Sequence, residues 1–184
     1  RESSMKLWFA VAALVTFATA GPGFAQEHRA PAIESFGAGF PTEGAMERPD
    51  PVLRYRVVFP VTKASADPAK PNASLERVAR FLNLLAADGV HVKPGDIVAI
   101  LYGPATQIIT NDAVYAAQTK VPNNPNIALI AKLRAAGVVV AVCGQALYAH
   151  KYEVKNVATG VRVDVSAMTT MANLQLRGWA LLPE

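Results

Sequence analysis

The chain is 184 residues long, 52% hydrophobic and 17% charged, with 13 prolines, 12 glycines and a single cysteine. The apolar share supplies one buried core and excludes a mainly disordered protein, and the length excludes several domains. One cysteine excludes an intramolecular disulfide, a CxxC redox pair and a cysteine-rich zinc site, while a net charge of +4 without a basic block argues against a nucleic-acid partner.

Residues 5–25 read MKLWFAVAALVTFATAGPGFA. Met5 and Lys6 make a short basic start, Leu7 to Ala20 is apolar, and Gly21-Pro22-Gly23 breaks the run before Phe24-Ala25. An apolar run of about 14 residues fits a secretory signal better than a membrane span, which needs roughly 20. Cleavage is expected after Ala25, so that Gln26 opens a mature, soluble, periplasmic or secreted chain with no stable membrane insertion. The alternative is an uncleaved anchor, which Thr16, Thr19 and the Gly-Pro-Gly break weaken. Residues 1–4 (RESS) read as an upstream extension or remnant. Residues 26–52 are rich in Pro and Gly, carry no apolar period, and predict a mobile or surface-draped leader. The folded unit is expected over residues 53–184.

Within that unit, strand and helix signals alternate. Tyr55–Val61 is a β-branched run, with Pro60 suggesting its end. Ser74 offers a helix cap, and Leu75, Val78, Ala79, Leu82, Leu85 and Ala86 recur at helical spacing until Asp88-Gly89. Ile97–Tyr102 reads as a strand buried on both faces, and a weaker helical stretch covers about 105–119. Asn124 as cap and Pro125 at the first helical position open a helix that Gly137 stops. Val138–Val142 is the most strand-like run. Val161, Val163 and Val165 alternate with Arg162 and Asp164, predicting an edge or half-exposed strand. Ser166 caps a last helix to about Arg177, and Trp179–Leu182 forms a final strand. Five strands with intervening helices predict a three-layer α/β/α sandwich around a mostly parallel sheet.

Open parallel sheets bind ligands beyond the carboxyl ends of their strands. Two such ends stand out, Tyr102-Gly103-Pro104 and Cys143-Gly144-Gln145. A short helix starting after Cys143 would bring free N–H groups near the sulfur and favour the thiolate. Such a thiolate attacks carbonyls or accepts a transferable sulfur atom. Cys143 reads equally as a small buried hydrophobe, as free cysteines commonly are. Tyr102 either lines the site with its hydroxyl or packs as an aromatic ring at a strand end. His150 is a remote base candidate, better read as a surface residue beside Lys151. His91 reads as structural, and His28 lies in the leader. The three histidines show no metal spacing, so neither a metal nor a cofactor is predicted. Asn124 and Asn126 are explained by capping, and Met168 with Met171 by helix core.

Four stretches together resemble the DsrE/DsrF-like sulfur-relay family, including its YchN-like subgroup. They are Leu101–Thr106 (LYGPAT), Asn124–Ile130 (NPNIALI), Gly137–Leu147 (GVVVAVCGQAL) and Leu174–Pro183 (LQLRGWALLP), within a resemblance that covers roughly 55–184. It implies an α/β sandwich assembling into homo-trimers or hexamers, and a cysteine at the end of the third strand that carries persulfide sulfur between a donor and an acceptor protein. Cys143 stands at the matching position. Many relatives carry His where this chain has Tyr102, and the characterised relays are cytoplasmic whereas this chain reads as exported. The expectation is therefore a sulfurtransferase-like persulfide carrier acting through Cys143, with Tyr102, Gly103, Gly144 and Gln145 around it. The alternatives are an exported oligomeric binding domain with an inert thiol and, third, a cysteine hydrolase or deglycase.

Overall fold

A computed structural model of the chain describes residues 30–184. The expected signal, its cleavage site and His28 lie outside the described residues.

The elements follow in chain order as β1 (Val57–Val61), α1 (Ala73–Ala87), β2 (Ile97–Leu101), a 3-10 segment (Gly103–Ile109), α2 (Asp112–Thr119), α3 (Asn126–Ala135), β3 (Val139–Cys143), α4 (Gly144–Ala149), a 3-10 turn (Val154–Asn156), β4 (Arg162–Asp164), α5 (Ala167–Leu176) and β5 (Ala180–Leu181). The strands form a single sheet in the order β4-β3-β2-β1-β5. Every pairing is parallel, so the mostly parallel sheet expected from the sequence is wholly parallel.

Because side chains alternate along a strand, the sheet sorts its residues into two cores. Phe59, Val61, Ala99, Leu101, Val140 and Val142 face α1 and α3 and form the larger cluster. Val58, Val98, Ile100, Ala141 and Cys143 point the other way, where α5 contributes Ala167 and Leu174 to a smaller one. Helices on both faces make the three layers, but the second face is thinly covered. Pro60 does not end β1, whose pairing with β2 continues to Val61. Val57 N–H bonds toward β2, and Val58 C=O accepts from Leu182 N–H on the β5 side. Position 60 therefore faces β5 with its missing N–H, where the pairing has already ended at Val58↔Leu181.

The first helix is capped by Asn72 rather than Ser74. Its Oδ1 accepts from the N–H groups of Ser74 and Leu75, two of the donors a helix start leaves free. The weak helical stretch at 105–119 is two pieces separated at Thr110-Asn111. Asn124 Nδ2 donates to the carbonyls of Ile108 and Thr110, which takes those acceptors out of any continuous helix.

The part of the leader that is described is anchored. Ile33 is 1% exposed and belongs to the larger core. Asn83 on α1 accepts from Ile33 N–H at 2.7 Å and donates to the carbonyls of Ile33, Phe36 and Gly37. Gly37 lies so close to α1 that a Cβ there would meet Arg80 N at 2.3 Å. Burying one isoleucine is worth about 1.5–3 kcal/mol, enough to hold a short segment against the helix.

Candidate functional site

β3 ends on Cys143 and α4 starts at the next residue. The short turn is possible because position 144 is glycine. A Cβ there would lie 2.9 Å from Asp164 O and 3.4 Å from Val165 O, so the turn leaving β4 closes directly over the start of α4. Gly144 therefore acts through close backbone approach. Gln145 is exposed, and its Nε2 donates to Val165 O at 3.4 Å.

Cys143 is a free thiol, 6% exposed. It sits in the smaller core with Ala141, Ala167 and Leu174, and Tyr102, Ala146, Met171 and Trp179 pack against that cluster. Tyr102 and Cys143, 41 positions apart in the sequence, thus meet in one apolar environment. Gly103 supplies the positive φ of 58° that turns the chain after β2. The thiol is covered by its own domain rather than open at the mouth of the sheet. Concavities of about 300 and 110 Å³ lie instead around Ala32 and Ala136, at the opposite ends of the strands, and neither includes Cys143.

His150 is exposed and stacks on Tyr152 at 5.7 Å. His91 is exposed in the loop before β2 and borders the smaller concavity. Among the described residues, no cluster of three or more His, Cys, Asp or Glu could hold a metal ion. Met171 belongs to the core around the thiol, but Met168 is 75% exposed, so the pair is not helix core throughout.

Sequence reasoning missed a polar group beside the cysteine. Cys143 is in register with Asp164 and Ala141 with Arg162, so Asp164 and Arg162 leave the sheet on the same face as the thiol. Arg162 Nε and Nη2 donate to Asp164 Oδ1 and Oδ2 at 2.6 and 2.9 Å, and Thr170 Oγ1 on α5 donates to Asp164 Oδ2 at 2.8 Å. The Val-Arg-Val-Asp-Val alternation marks both as facing one way. Only strand register aligns them with Cys143.

This arrangement defines a parallel α/β sandwich with one cysteine at the carboxyl end of an interior strand, beside a carboxylate held by arginine and threonine. The DsrE/DsrF-like family model matches residues 56–183, and the chain belongs to that family. The fold is similar to that of a protein of unknown function, MTH1491 from Methanobacterium thermoautotrophicum, with a TM-score of 0.51 and 21% identity over 71% of this chain and 99% of that one. No curated protein matches the chain. Among the described residues, no helix is long and apolar enough to cross a membrane.

Proposed function

We propose that this DsrE-like protein carries sulfane sulfur on Cys143. The observation that supports the reading is the position of the chain's single cysteine, the last residue of β3 and the residue before α4, in a family of sulfur-relay type. The Cys143 thiolate attacks the outer sulfur of a persulfide donor, RS–SH. A bond forms between Sγ and that sulfur, the RS–S bond breaks, and RS⁻ leaves, so the protein holds Cys–S–SH with no net oxidation. The reverse attack by an acceptor thiolate unloads it. The thiol is covered within the single subunit, so each transfer requires that it first be uncovered to the attacking or donating sulfur.

The protein works as a homo-oligomer, a trimer or hexamer, outside the cytoplasm. Support for assembly comes from apolar side chains exposed on α4, α5 and the turn before α5: Tyr148 at 87%, Val165 at 78%, Met168 at 75% and Leu176 at 88%. Surfaces of this kind are covered by neighbouring subunits in oligomers.

A second reading is favoured by one specific observation, the burial of Cys143 away from the concavities. In that reading the protein is a non-catalytic oligomeric binding domain and the thiol is a core residue. Intact mass after incubation with a polysulfide donor decides. The carrier gains about 32 Da per sulfur atom, removable by reductant and lost in Cys143→Ser. A folded protein whose thiol stays free and unmodified would overturn the carrier and leave the binding domain.

A further inference from the structure

The geometry points to the β4–α5 turn as a latch that controls access to Cys143. The biological meaning of this device rests on the carrier reading, while thiol access itself is measured without sulfur chemistry. α5 is the helix over the Cys143 face of the sheet, and Ala167 and Met171 of its first turns belong with the thiol in one apolar cluster. That cluster is small, and within one subunit Ala167 and Leu174 are the only buried residues of α5. An element with so little buried surface is drawn from the low-stability end of a fold.

The bond that ties the covering turn of α5 back to the sheet is Thr170 Oγ1 to Asp164 Oδ2, at 2.8 Å. Its acceptor is fixed in place, because Arg162 grips both oxygens of the same carboxylate. Arg162 also balances a negative charge that would otherwise stand on the same face as the sulfur. From the α4 side, Gln145 Nε2 reaches Val165 O in the middle of the turn. When the Thr170 bond breaks, the first turn of α5 lifts and uncovers Cys143 without disturbing the five-stranded sheet. The latch thus sets the fraction of time in which a donor or acceptor thiol reaches the sulfur.

The experiment follows the reaction of Cys143 with iodoacetamide in the full chain under native conditions, with urea unfolding measured in parallel. Thr170→Val removes the latch hydroxyl at nearly constant shape. Because the lost bond is to a charged acceptor, labelling is expected to accelerate about tenfold. Thr170→Ser keeps the hydroxyl and stays near the wild-type rate. Thr169→Val is the control, since its hydroxyl donates to Ser166 O within the same helix end and not to the sheet; it leaves the rate unchanged. The latch is overturned if Thr170→Val labels at the wild-type rate, if Thr169→Val accelerates labelling as much, or if the acceleration is no larger than the loss of global stability produces. Should Thr170→Val not fold, Asp164→Asn, a weaker acceptor at the same place, is judged by the same comparison. Iodoacetamide reports access alone, so failure of the latch leaves sulfur uptake standing, and failure of uptake leaves the latch standing.

Discussion

Asn126 Oδ1 accepts the backbone N–H of Asn72 at 2.7 Å, joining the starts of two helices 54 positions apart. Asn126 in turn donates its side-chain and backbone N–H groups to Asn124 Oδ1, and Asn124 donates to the carbonyls of Ile108 and Thr110. Three asparagines, all buried, therefore stitch together the connections at the carboxyl end of the sheet. Asn126→Ala leaves the Asn72 N–H and part of Asn124 without partners. It is expected to destabilise the protein by about 2–3 kcal/mol, read as a lower urea midpoint.

The anchored leader gives a second expectation. Ile33→Ala empties a site in the main core and costs about 2–5 kcal/mol. Asn83→Ala removes the partner of Ile33 N–H and of three leader carbonyls. Both variants should become cleavable by protease within residues 30–52 under conditions where the wild type is resistant. A wild-type cleavage pattern in both would show that the segment contributes nothing to the fold.

Acid sensitivity follows from Asp96, which is buried before β2 and accepts two hydrogen bonds from Arg54, at 2.8 and 3.0 Å. The bonds from Arg54 hold its carboxyl below the ordinary value of 3.8, against the opposing effect of burial. A carboxylate whose folded value is depressed stabilises the native state fully above its unfolded value, and that stabilisation is lost as pH falls through the folded value. The pair therefore protects the protein above about pH 5 and fails progressively below pH 3.8. Asp96→Asn should lower stability at neutral pH and flatten the acid limb of a stability profile measured from pH 7 to 2.

Gly144→Ala tests the close approach at the site. The added methyl meets Asp164 O at 2.9 Å, backbone that yields only if the β4–α5 turn shifts. Overpacking of this kind costs about 1–3 kcal/mol. The same shift should speed alkylation of Cys143. An alanine variant with unchanged stability and unchanged labelling would mean that the turn does not bear on the thiol.

Much of the fold is legible in the residues because its signals are local. The β-branched runs ending at Val61 and Val142, the stops at Gly89 and Gly137, and the Ser166 cap each act within one turn or one strand. The misread details are those where a distant residue intervenes. Asn72 displaces Ser74 as the cap in a region also braced by Asn126, and the Pro60 break disappears because β5 is too short to need its N–H. For the site, Cys143, Gly144 and Tyr102 were visible as residues at strand ends. Whether the thiol is open or covered stayed undecided there, because its burial depends on α5 folding back over the sheet.

The amino-acid order alone determined the alternation of strands and helices, the wholly apolar interior strands, and a solitary cysteine closing one of them, since periodicity and turn chemistry are written in neighbouring positions. Tertiary structure decided which residues stand beside that sulfur. Strand register placed Asp164 and Arg162 on its face, and the packing of α5 set its exposure. Both are agreements between segments far apart in the chain, and no local pattern encodes them.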